Sequence, residues 1–182
     1  EVFKENILDR TYAGSGGAEG TADLKNRPKP LVFGHAKNVE PVLIDPTNYV
    51  YQFSGYGAIE EVTTLYERAS SFAASTGDHA SYAALVAATI DEGTWATCLA
   101  EGMIRLGAPV YGVITGDIKG HVIGSATPRL TGEIILGLAD MIGIASANID
   151  LTSFGDLDTD KPYPVNIVLS EQETFIDFAR RM

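Results

Sequence analysis

The chain has 182 residues, of which 45% are hydrophobic, 20% charged and 9% aromatic. That balance excludes collagen-like, coiled-coil and disordered classes and suffices for one domain, or one domain with a small lobe, around a real core. A formal charge of −11, from 13 Lys and Arg against 24 Asp and Glu, repels polyanions and disfavours nucleic acid as a partner. Cys98 is the single cysteine, which excludes an internal disulfide framework, and the longest apolar runs, Ile134 to Leu138 and Ala83 to Ala88, fall far short of the roughly 20 residues that a membrane span needs.

Glu1 to Arg10 lacks a basic stretch followed by an apolar one, so it does not read as a signal peptide, and Glu1 and Met182 read as the ends of a piece cut from a longer polypeptide. Residues 1–23 are expected to be a flexible glycine-rich segment, because Ala13 to Gly20 holds four glycines in eight positions and offers little to a core. Pro28, Pro30, Pro41 and Pro46 punctuate the apolar runs Leu31-Val32-Phe33 and Val42-Leu43-Ile44, which forbids helix and predicts short strands. Tyr49 to Phe53, dense in aromatic and β-branched residues and bounded by Ser54-Gly55, predicts another. Ile59 to Ser71 fits a helical period but has strand composition over Val62 to Tyr66, and is read as strand.

Ser81 to Ala88 is alanine-rich and predicts a short helix stopped near Asp91-Glu92-Gly93. Trp95 to Leu106 and Val110 to Ile118, separated by Gly107-Ala108-Pro109, predict an antiparallel pair. Thr127 with Pro128 predicts a helix start, followed by Leu130, Ile134, Leu138 and Met141 at helical spacing and closed near Gly143. Ile149 to Leu157 is given a helical turn, Tyr163 to Leu169 a strand, and Ser170 to Glu173 a capping box before a closing helix with Phe175, Ile176 and Ala179. The expected organisation is an α+β fold, mainly antiparallel: a flexible segment over 1–23, a β-rich domain over 24–120, and a smaller α/β lobe over 121–182.

The motifs yield no site that spacing alone assigns. The glycine stretch lacks the Gly-Lys-Ser/Thr ending of a phosphate loop and its flanking strand and helix. Asp156-Leu157-Asp158-Thr159-Asp160 opens like a calcium loop, but Lys161 stands at the glycine position and Ile167 at that of the bidentate glutamate, so it is read as a solvated acidic loop. His35, His79 and His121 have no metal-ligand spacing, so no metal, cofactor or catalytic residue is assigned. No Ser has the flanking glycines of a nucleophile elbow, and Asp45, Asp91, Asp117 and Glu133 are scattered and read as solvated surface. Cys98 paired with His121 on an adjoining strand is the alternative reading, a cell-wall hydrolase or thiol peptidase; a cysteine inside an apolar strand is more often a small buried hydrophobe. A ligand-binding module is a third reading and requires a concave apolar pocket.

Leu24-Lys25-Asn26-Arg27-Pro28-Lys29-Pro30-Leu31-Val32-Phe33-Gly34, then Asn38 to Asp45 and Tyr49 to Gln52, resemble the opening of a family of bacteriophage and prophage tail proteins of the baseplate-hub and tail-tip type. The same order continues through Thr97 to Gly107, Ile114 to Gly120, the Pro128 helix, Ile149-Asp150, Ser153-Phe154, Leu157 and Glu173-Thr174, so the resemblance is collinear over about residues 24 to 178. It implies a structural, non-enzymatic component of the virion tail, made in the cytoplasm of the bacterial host. It further implies a β-rich hub domain that forms a homo-oligomer, a trimer in the intact particle, between the tail tube and the receptor-binding parts, touching other tail proteins, with no nucleic acid and no membrane span. No catalytic residue is carried over with it.

Overall fold

The computed structural model describes residues 6–182; the first five residues of the expected flexible segment lie outside the described residues. Its strands are β1 (Leu31–Phe33), β2 (His35–Val39), β3 (Val42–Asp45), β4 (Val50–Gln52), β5 (Ile59–Glu67), β6 (Ser70–Ser71), β7 (Trp95–Cys98), β8 (Met103–Leu106), β9 (Ile114–His121) and β10 (Ile167–Leu169). Its helices are α1 (Tyr82–Ala87), α2 (Thr131–Met141), α3 (Leu151–Asp160) and α4 (Phe175–Arg181). All strand pairs are antiparallel, in sheets ordered β2-β9-β5-β6, β3-β4-β8-β7 and β1-β10. With 26% helix and 29% strand the fold is α+β, as expected.

Three apolar clusters hold these layers. Between the two four-stranded sheets lie Phe53, Leu65, Trp95, Ile104, Leu106, Ile114 and Ile118. The other face of the β3-β4-β8-β7 sheet buries Ile44, Val50, Ala96, Cys98 and Met103 with Leu85 of α1 and with Tyr12 and Leu24. The third cluster joins Leu31, Phe33, Ile134, Leu138, Ile167, Phe175 and Phe178 to Ile7 and Leu8.

Those memberships cross the expected boundaries. The glycine stretch is anchored and internally hydrogen-bonded: Tyr12 is buried and its hydroxyl donates to Gln52 Oε1 at 2.8 Å, while Gly14 N–H donates to the Glu19 carbonyl at 2.9 Å and Gly16 N–H to that of Gly20 at 2.8 Å. Glycine supplies left-handed turns here, and the flanking residues supply the core contacts. The lobe expected over 121–182 likewise shares its core with Ile7, Leu8, Leu31 and Phe33, so packing does not divide the chain at residue 121.

The predicted hairpin also resolves differently. Trp95 to Leu106 is itself a hairpin, β7 against β8 around a 3-10 turn at Leu99–Glu101, and β9 lies in the other sheet between β2 and β5. The turn closes on Gly102 at φ +63°, where a Cβ would stand 2.2 Å from the Ser54 carbonyl oxygen, so only glycine fits. In β9 alternate residues Ile114, Gly116, Ile118 and Gly120 are buried; at Gly120 a Cβ would meet the Val32 carbonyl at 2.2 Å, and its absence lets β1 cross close to β9.

Two helix starts move. Thr127 does not cap α2: its hydroxyl donates to the Gly120 carbonyl at 2.7 Å, and the helix begins after Leu130, with Glu133 accepting from the N–H groups of Arg129 and Leu130 at 2.8 and 3.1 Å. The Ser170 to Glu173 box gives way to Thr174, whose hydroxyl oxygen accepts from the Asp177 N–H at 3.3 Å. No helix among the described residues is long and apolar enough to cross a membrane.

Candidate functional site

A cluster of polar side chains surrounds α1, where the chain fastens a six-residue helix to the β3-β4-β8-β7 sheet. Ser81 caps it, its hydroxyl oxygen accepting from the Ala84 N–H at 3.2 Å, and Glu101 accepts from the Tyr82 N–H at 3.1 Å. At the other end Arg105 of β8 donates through Nη1 to the carbonyls of Leu85, Val86 and Ala88 at 2.9, 2.8 and 2.7 Å, and through Nε to that of Asn48 at 3.1 Å. These carbonyls have no partner within so short a helix, and a guanidinium supplies both hydrogen bonds and a favourable charge at that end.

Beside it the Tyr82 hydroxyl donates to Asp45 Oδ2 at 2.6 Å, and Asp45 also accepts from the N–H groups of Thr47 and Asn48. Asp45, expected on a solvated surface, is therefore buried and bonded, and those donors hold its carboxyl below the ordinary value despite burial. The Tyr82 phenol is pushed up to about 12 by burial and then by Asp45. Asp78 fastens the β7 end, accepting from Thr97 Oγ1 at 2.7 Å and from the Leu99 N–H at 2.8 Å. The network is spent on backbone groups, turns and neutral side chains.

The remaining sequence candidates are dispersed. Asp117 accepts from the Asn38 N–H at 3.0 Å and from the Tyr66 hydroxyl at 3.2 Å, and Glu133 serves the start of α2. Asp91 contributes its carbonyl to Thr94 in the turn before β7. The acidic run at 156–160 is helical and lies in α3, where Asp158 accepts from the N–H groups of Gly132 and Glu133 at 2.7 and 3.1 Å and so caps α2 from outside. Among the described residues no group of three or more His, Cys, Asp and Glu is placed to hold a metal ion.

Cys98 and His121 sit in different four-stranded sheets, β7 and β9, and not on adjoining strands. Cys98 is wholly buried, and burial pushes its thiol up to about 11, opposite to the lowered value that makes a nucleophilic thiolate. His121 packs edge-on to Phe33, with ring centroids 5.8 Å apart at 78°, and its Nδ1 is buried without a hydrogen-bond partner among the described residues.

Two surface features were not legible in the motifs. A groove of about 630 Å³ runs between α2, α3 and α4, floored by Ile135, Ala139, Phe154 and Phe175, with Asp150 and Lys161 at its rim. Tyr111 and Val113 stand 88% and 56% exposed on the loop before β9, beside a hollow of about 560 Å³ lined by Pro41, Leu43 and Tyr51. That loop is fixed through its backbone: Tyr111 N–H donates to Glu67 Oε1 at 2.8 Å and Arg68 Nη2 donates to the Tyr111 carbonyl at 2.6 Å. An aromatic and a β-branched residue between Pro109 and a strand was the signal in the sequence for it.

Neither Cys98 nor His121 lines the groove or the hollow. Comparison of the chain with protein-family models, with curated proteins and with solved structures gives no match, so the site is characterised by its geometry alone.

Proposed function

We propose that this chain is a structural component of a bacteriophage or prophage tail, of the baseplate-hub or tail-tip kind, which links the tail tube to the distal receptor-binding parts. In that role it forms a homo-oligomer, a trimer in the particle, contacts other tail proteins, and resides in the virion tail.

The observation that supports this reading is the work done by the residues that carry the resemblance. In Thr97 to Gly107, Thr97 and Leu99 are fastened by Asp78, Glu101 holds the start of α1, Gly102 makes the left-handed turn, and Arg105 closes the end of α1. In Leu24 to Gly34, Leu24 is core, Lys29 pairs with Glu19 at 2.8 Å, and Leu31 to Phe33 form a buried strand. These are duties of architecture, with side chains aimed at backbone and core, whereas a catalytic motif aims its groups into a cleft. The antiparallel, β-rich fold agrees with the hub domain that the resemblance implies.

Deletion of the coding sequence from its phage or prophage, followed by complementation, tests the reading. Infectious particles should disappear on deletion and return with wild-type protein and equally with Cys98→Ala. Normal particle yield without the gene overturns the tail role, and failure of Cys98→Ala alone, with the variant folded, moves the function to the thiol.

A further inference from the structure

His121 closes β9 at the point where the β2-β9-β5-β6 sheet meets the cluster built on β1, β10, α2 and α4. It is opposite Ile59 of β5 in register, and its ring lies edge-on to Phe33, a wholly buried member of that cluster. A neutral imidazole suits such a place, since an edge-to-face contact with an apolar ring needs no charge. Its Nδ1 is buried and makes no hydrogen bond among the described residues.

Among the described residues the charges around it offer an imidazolium no compensation. From the N-terminal segment comes Arg10, of the same sign, held over the Tyr56 ring at 5.2 Å and tied by its backbone N–H to the Tyr56 hydroxyl at 2.9 Å; Asp9 acts on Tyr56. From β9 comes Lys119, and the carboxylates of β5 are already engaged: Glu61 with Lys119 at 2.7 Å, and Glu60 with Lys119 at 3.4 Å and the Thr127 N–H at 3.1 Å. On β2, His35 lies opposite Lys119 and feels Arg129 from the start of α2.

We propose that His121 is a pH-sensitive latch on this seam: neutral, it keeps the sheet and the lobe packed, and a proton taken from solvent onto its imidazole loosens them from each other. Burial acts in the same direction, holding the His121 ring below its ordinary value, with the Ala58 backbone opposing and Arg10 adding to the effect. The unfolded or opened chain therefore binds the proton more readily than the packed one. The contribution of the neutral ring is complete above the ordinary histidine value of about 6.5 and is lost as pH falls below it. This inference is independent of the tail reading.

The test is an NMR titration of the three imidazoles in the wild-type protein, together with hydrogen exchange at about pH 7.5 and about pH 5, corrected for intrinsic exchange rates. The expected results are a His121 midpoint below the ordinary value and a loss of about tenfold in protection per unit of pKa displacement for amides of β1 and β10 at the lower pH. His121→Gln should abolish most of that response, and His35→Gln, whose ring is also held below the ordinary value by burial, should retain it. A His121 midpoint at or above the ordinary value, or the same pH response in His121→Gln as in wild type, overturns the proposal. If His121→Gln does not fold, His121→Phe takes its place, with the same two outcomes, and the wild-type titration decides without any variant.

Discussion

Replacing Arg105 with leucine removes the side chain that closes α1 while keeping an apolar stem on β8. Three carbonyl acceptors at the end of the helix, Leu85, Val86 and Ala88, and that of Asn48 lose their charged donor together. A hydrogen bond to a charged group contributes about 1.5–3 kcal/mol, but three of these share one nitrogen and do not add, so the loss is set at about 2–4 kcal/mol. For a chain of this length that corresponds to roughly 5–15 °C in Tm. Urea denaturation should show a lower midpoint with an unchanged slope, and hydrogen exchange should show α1 losing protection first. Arg105→Lys should recover less than half, because an ammonium group cannot reach both the helix end and Asn48 in one planar fork. A midpoint for Arg105→Leu within about 0.5 kcal/mol of wild type would refute the assignment of Arg105 as the clamp on α1.

Gly102→Ala should cost about 3 kcal/mol or more, since the residue must hold φ +63° and its new methyl would overlap the Ser54 carbonyl oxygen; denaturant unfolding reads this, and a neutral variant would contradict the turn geometry. With its thiol pushed up to about 11, Cys98 stays protonated at neutral pH and reactive only where the fold opens. A maleimide at about pH 8 should therefore label native protein far more slowly than denatured protein, and labelling at the denatured rate would show an accessible thiolate. Tyr111→Ser should change monomer stability by no more than about 0.5 kcal/mol, because the side chain is 88% exposed and the loop is held by its backbone; a larger loss in thermal unfolding would mean that the ring itself supports the loop.

Strands that were bounded by proline or rich in β-branched residues were legible: Leu31–Phe33, Val42–Asp45 and Val50–Gln52 fall where the sequence predicts them, and Ile59 to Ser71 is strand, as β5 and β6. The pairing of 95–106 with 110–118 failed because β7 and β8 are covered on both faces, by the inter-sheet core and by α1, so their composition carries no strict alternation to fix a partner. The 3-10 turn at Leu99–Glu101 interrupts what read as one strand, and its mark was Gly102. Gly14 to Gly20 read as linker because glycine adds nothing to a core, yet Tyr12 and Leu24, on either side, are core residues that anchor the loop at both ends.

Helix caps were legible as residue types but not as places. Thr127 and Ser170 have the right chemistry, while the N–H groups at the start of α2 are satisfied by Glu133 and, across 26 positions, by Asp158. The same limit governs the candidate pair, because whether Cys98 and His121 meet depends on which strands adjoin. Arg105 carried no catalytic or binding motif; its role arises only when β8 passes beneath the end of α1.

The most direct measurement is immunogold electron microscopy of purified particles with antibodies raised against this chain, combined with copy number from quantitative mass spectrometry. The account predicts label confined to the distal end of the tail and about three copies per particle, as a threefold ring requires. Label absent from purified tails, or spread along the tube in many copies, would contradict the proposed hub role.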